Sequence, residues 1–233
     1  LAVVAVRDQP PGVDAKSQRE RRESLRYVLV GSWAVMRTPS ILTITSGGIA
    51  LSAGNTILGI WGGPYLNDVH GLGQTERGAV LIFMACSGIL GHFLYGQASR
   101  VIGSLKSLVL GGTAAISVIM GTLALLPAPN VITVTVLLAA LGMACGFPTI
   151  MLAHSRALVP DYLIGRALTT VNTGVMIAIA AMQMAIGGII GSVMISSDGQ
   201  ATAEGYRTAF GFFAVMAVLT FVIYSRAKDA KPR

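Results

Sequence analysis

The sequence predicts an all-α integral membrane protein with six transmembrane helices, and three observations carry that reading. Hydrophobic residues make up 53% of the chain and charged ones 12%, where an average soluble domain carries about twice that charge. No Asp, Glu, Lys or Arg lies between Arg37 and Asp68, a stretch longer than the roughly 20 apolar residues that cross a hydrocarbon core. Five more apolar segments follow it, at residues 78–97, 107–126, 131–154, 167–195 and 208–225.

Residues 1–6 are apolar, lack an initiator Met and run straight into Arg7 and Asp8, which reads as the end of a truncated transmembrane helix rather than a signal peptide. Residues 7–24 are polar, with Pro10-Pro11-Gly12 ahead of a mixed-charge run, and read as a linker. Residues 25–36 form a short amphipathic piece expected to lie in the interface. The first full span opens with Thr38 as an expected N-cap and Pro39 at the first helical position. Its far end, Trp61-Gly62-Gly63-Pro64-Tyr65-Leu66, places Trp61 and Tyr65 where an aromatic belt is expected. Pro127 to Asn130 form a tight turn between the third and fourth spans, and residues 227–233 form a basic tail.

Orientation follows from the basic residues. With six spans, alternate loops share a side; one side collects fifteen of the 17 Lys and Arg, the other only Arg77 and Arg207. Positive-inside bias then puts both ends in the cytoplasm. The net charge of +7 is therefore topological, with an added attraction to anionic headgroups, and binding of nucleic acid is not expected. Cys86 and Cys145 lie in apolar segments and form neither a disulfide framework nor a metal pattern. The ten Met residues read as adaptable packing rather than a metal path.

The spans hold no ionisable Asp, Glu, Lys or Arg, so neutral groups are the candidates for chemistry. Asn55, Thr56, Trp61 and Gln183 are substrate-path candidates, although Asn55 and Gln183 equally suit hydrogen bonds between helices and Trp61 equally suits the belt. Asn172 reads as helix-to-helix glue, and Gly187 and Gly191, in Gly-Gly-Ile-Ile-Gly, as close-packing positions. His92 and His154 fall near cytoplasmic helix ends and read as interfacial or internally satisfied. Two loops on the basic side repeat Arg, Gly and a turn: one contains Gly96, Arg100, Gly103 and Lys106, the other ends on Arg166.

The loop at residues 96–106 resembles the Gly-x-x-x-Asp-Arg-x-Gly-Arg-Arg signature of the major facilitator superfamily, in the copy between spans 8 and 9. Gly96 and Gly103 match; Arg100, preceded by Ser99 where the signature Arg follows an Asp, stands one place ahead of that Arg, and Ser104 and Leu105 stand where basic residues are common. The Gly-Gly-Pro-Tyr-Leu close of the first span and the stretch from Pro160 to Arg166 also look like bacterial members. The resemblance implies the C-terminal half of a twelve-span permease, at residues 38–226, built as two three-helix inverted repeats. Residues 7–37 become the linker between halves. The partners implied are an N-terminal six-helix half of the same chain, the lipid bilayer of a bacterial inner membrane and a small-molecule substrate, with no cofactor. By the same resemblance the first and fourth spans line the central cavity, which adds Ser52 to Asn55 and Thr56 as path candidates. The implied mechanism is rocker-type alternating access, coupled to an ion. Two other classes compete. A six-span module that does not transport, or that pairs with itself, fits the composition. An intramembrane protease would draw on Ser52, Ser87, His92 and His154, but no serine sits in a convincing nucleophile turn.

Overall fold

A computed structural model describes residues 35, 37–127, 129–193 and 202–231. The expected truncated helix, the linker and nearly all of the amphipathic piece fall outside them. Among the described residues, six helices are long and apolar enough to cross a membrane. They are α1 (Pro39–Asp68), α2 (Gln74–Ile102), α3 (Leu105–Leu125), α4 (Val131–Ala157), α5 (Ile164–Val193) and α6 (Ala203–Tyr224). The chain is a multi-pass membrane protein.

The helix ends follow from local chemistry. Pro39 opens α1, but the cap is made by the Thr38 carbonyl, which accepts from the Ile41 and Leu42 N–H groups, and not by the Thr38 hydroxyl as expected. α2 starts four residues earlier than its hydropathy suggests, because Glu76 turns back to accept from the Gly73 N–H at 2.9 Å. It stops at Gly103, whose φ of +65° is the left-handed cap that favours glycine. Ser104, Asn130 and Thr202 then cap α3, α4 and α6 by accepting from Ser107, Thr133 and Gly205 N–H groups. At the other end of α3, the Arg207 side chain donates to the Ala124 carbonyl at 2.8 Å, satisfying one of the orphan acceptors of that last turn.

The most extensive pairings are α1 with α5, α2 with α4 and α3 with α6. Exchanging helices 1–3 for helices 4–6 turns the first pairing into the second and leaves the third unchanged. That is the pattern two related three-helix units produce.

The closest approach between α2 and α4 is made by glycines. A Cβ on Gly91 would strike the Met143 backbone, one on Gly142 the Met84 backbone, and one on Gly146 the Gly91 backbone. Gly88 completes the crossing, opposite Gly142. α2 and α4 therefore touch backbone to backbone, which only glycine permits. Of the two glycines expected to do this, Gly187 lies beside the Trp61 ring, whereas Gly191 is exposed and a Cβ there would meet nothing within 4 Å. Gly191 is thus not a packing position among the described residues.

The aromatic belt needs a similar correction. Tyr65 and Tyr206 are buried, 5.2 Å apart at 62°, and Phe210 stands 5.0 Å from Tyr65 at 85°. The Tyr206 hydroxyl donates to Asp68 at 2.9 Å. These rings tie α1 to α6 from within. Cys86 is exposed on α2 and Cys145 half-buried, both as free thiols.

At the basic end the tail folds back over the bundle. The Ala230 carbonyl accepts from the Leu105 N–H at 3.0 Å, and Asp229 accepts from the Lys106 N–H at 3.3 Å, so the tail covers orphan donors at the start of α3. His154, fully buried, donates through Nε2 to the Lys228 carbonyl and meets the Tyr224 hydroxyl through Nδ1, both at 2.8 Å. Burial raises the Asp229 carboxyl, but the Ser104 hydroxyl beside it and the Lys106 and Ala230 N–H groups outweigh that and hold it below the usual carboxylate range.

Two predictions follow from this packing. Gly142→Val in the full-length protein forces α2 from α4 and costs about 1–3 kcal/mol, read as a lower unfolding temperature in detergent. Gly111→Ala, at a position open to its surroundings, leaves that temperature unchanged. A carboxyl with a depressed pKa contributes stability above its unfolded value and loses it as pH falls through the folded one. Tail docking therefore holds from neutrality down to about pH 4 and is lost only below it, read by hydrogen exchange at the Lys106 amide after correction for intrinsic rates. Asp229→Ala raises that exchange at neutral pH.

Candidate functional site

α1 is the most buried of the six helices: 61% of its apolar stretch is buried, against 11% for that of α2. It is irregular at its middle. After Thr56 the chain makes a π-helical turn over Ile57–Trp61, in which Leu58, Gly59 and Ile60 are exposed. The Thr56 hydroxyl just before it is fully buried and has no hydrogen-bond partner, alone among the described buried side chains. π-turns of this kind recur at functional sites.

α4 is broken as well. It runs as an α-helix over Val131–Ala144, is interrupted at Cys145, Gly146 and Phe147, and resumes at Pro148–Ala157. Pro148 has no N–H to give the preceding turn. Phe147 is buried, its ring 6.0 Å from Tyr95 and packed where Gly112 leaves room. Irregular backbone at membrane depth is tolerated where protein covers it or where it lines a cavity, and both conditions are met.

Two cavities flank these irregular segments. One of 320 Å³ lies between α1, α2 and α4, with Asn55, Leu58, Met84, Ile89, His92 and Cys145 among its lining. The other, of 160 Å³, lies between α1, α4 and α5, with Asn55, Met151, Asn172 and Val175 among its lining. Asn55 and Pro148 belong to both. The exposed Asn55 amide donates to the Leu51 carbonyl at 3.0 Å, and the exposed His92 ring meets the Gly88 carbonyl through Nδ1 at 2.8 Å.

The residues singled out from the sequence separate here. Asn55 is on the cavity walls. Ser52 is fully buried and its hydroxyl donates to the Ile49 carbonyl of its own helix, and Thr56 is buried without lining either cavity. Trp61 packs edge-on to Tyr206 at 6.5 Å. Gln183 is half-buried on α5 and lines neither cavity. Asn172, expected to bridge helices, is instead exposed on the smaller cavity. Gly96 and Gly103 have open space around them, Gly103 as the helix stop; Arg100 is exposed, Lys106 engages the tail through its backbone, and Arg166 is half-buried at the start of α5. Sequence reasoning placed His92 at a helix end and missed it as a cavity residue. Its signal was the Gly88–His92 spacing of four, which puts a small residue and a polar one on the same helix face.

The architecture matches proteins of known structure. A family profile described as Major Facilitator Superfamily matches residues 1–183. The inward-open conformation of the xylose transporter XylE from E. coli superposes with a TM-score of 0.67 at 16% identity, covering 82% of this chain and 48% of that one. A double-tryptophan mutant of XylE gives 0.64 at 14% identity, covering 82% and 44%. At that identity the likeness shows the fold. The chain spans about half the length of these structures. No curated protein sequence matches it. The profile covers well over half of the chain and the helix arrangement agrees with it, so the chain belongs to the Major Facilitator Superfamily.

Proposed function

We propose that the chain is the C-terminal six-helix half of a permease that carries a small molecule across a bacterial inner membrane by rocker-type alternating access. The observation that carries this reading is Asn55, an exposed amide at the middle of the central helix that lines both cavities beside the break in α4. Discontinuous helices meeting at mid-membrane form the substrate sites of many secondary transporters. The distribution of basic residues supports a cytoplasmic C-terminus. An N-terminal half would cover the cavity face and complete the path. The cavity walls carry no Asp, Glu, Lys or Arg, which supports an uncharged or amphiphilic substrate and assigns ion coupling to groups outside the described helices. XylE is a transporter of xylose; a sugar is accordingly one substrate class to test beside amphiphilic compounds.

The exposed Arg100 and the left-handed cap at Gly103 make the α2–α3 connection a short basic hinge. We assign it to the gate on the basic side.

The reading is tested with the full-length protein in right-side-out and inside-out vesicles, against labelled sugars, organic acids and amphiphilic dyes. Asn55→Ala lowers transport about three- to tenfold, the worth of one hydrogen bond, with membrane expression unchanged; wild-type kinetics in that variant remove Asn55 from the path. Arg100→Ala shifts the inward–outward balance, read as altered labelling of single cysteines from the two sides. Identical labelling contradicts a gating role.

A further inference from the structure

Asn55 and His92 both line the larger cavity, and their hydrogen bonds determine which of their polar atoms are left to accept. A carbonyl oxygen only accepts, so the contact with Leu51 assigns the NH2 of the Asn55 amide to that side, and the contact with Gly88 assigns the imidazole hydrogen to Nδ1. The neutral ring is then left with Nε2 as a lone-pair acceptor, and the amide with Oδ1. Neither atom has a partner among the described residues. Apart from the Cys145 thiol the remaining wall is apolar, with Leu58, Met84, Ile89 and Pro148, and it includes no Lys or Arg to hold an anionic group. A space of 320 Å³ with two acceptors and no positive charge discriminates by hydrogen-bond donors.

We propose that this cavity is an acceptor subsite, in which His92 Nε2 and Asn55 Oδ1 receive a hydroxyl or amine hydrogen of the substrate while Leu58, Met84 and Ile89 hold its apolar part. The assignment makes His92 a specificity-determining residue of the transport path and disfavours carboxylates and phosphates, whose oxygens only accept. It rests on the transport reading above and narrows its substrate class.

The test is binding by the full-length protein in lipid nanodiscs at about pH 8, with empty nanodiscs subtracted. Three probes share one aromatic body: 2-phenylethanol has a donor, its methyl ether has none, and phenylacetate is an anion. The alcohol binds about tenfold more tightly than the ether, and phenylacetate binds weakest. His92→Leu and Asn55→Leu each reduce the alcohol-to-ether ratio toward one, and His92→Gln, which keeps an acceptor, restores part of it. A ratio of one in the wild type, a ratio unchanged in both leucine variants, preference for phenylacetate, or no binding of any probe overturns the subsite. If the vesicle assays still show transport, only the substrate class falls; if they show none, the transport reading falls with it.

Discussion

The backbone crossing of α2 and α4 is the constraint on which the rest of the bundle depends. In lipid the hydrophobic effect does not favour one apolar surface over another, so helices associate by close packing and by hydrogen bonds. Gly88 and Gly91 on α2 face Gly142 and Gly146 on α4, and no side chain separates the two backbones. The same absence of side chains leaves room beside the crossing, and the larger cavity opens there, with Gly88 and Gly142 in its wall. Phe147, next to the crossing, packs into the gap at Gly112 and fastens the break in α4 to α3. Packing and cavity thus come from one set of residues.

Irregularity is concentrated where it serves that cavity. The π-turn of α1 and the break in α4 fall on the two helices that share Asn55 and Pro148 along the cavity walls. The rest of the bundle is tied more rigidly. Tyr206, Tyr65 and Asp68 join α1 to α6 at one end, and His154, Tyr224 and the tail join α4, α6 and α3 at the other. The two interrupted helices thus stand inside a frame fastened at both ends by side-chain hydrogen bonds and ring contacts.

Much of this was legible in the sequence, and the misses have physical reasons. Hydropathy gave the six spans, since nothing but an apolar helix satisfies its own backbone in lipid. Gly103 and Asn130 lay in segments read as connections, because their caps are local, whereas the Thr202 cap six residues ahead of the expected start of the last span was missed. Glu76 and Arg77 read as loop residues, yet Glu76 belongs to the first turn of α2, where it satisfies a backbone donor. Asn55 was legible as a polar residue on a central helix. Gln183 was not distinguishable from it, and Asn172 was read as glue between helices although it lines the smaller cavity, because which face of a helix meets a cavity is decided by tertiary packing. His92 was hidden by its distance from Asn55 in the chain, and the burial of Tyr65 by the rule that such rings mark the interface. Which glycines touch depends on their partners: Gly142 and Gly91 meet backbone, while Gly191 meets nothing.

The central claim is that the Asn55 face is one side of a path completed by a second six-helix unit in the same polypeptide. Its most direct test is the mass of the native protein, captured from its own membranes with an antibody to residues 227–233 and measured by mass spectrometry in detergent. The account predicts a single chain near twice the 24.2 kDa of this sequence. A chain of 24 kDa, alone or as a self-associated pair, would contradict it.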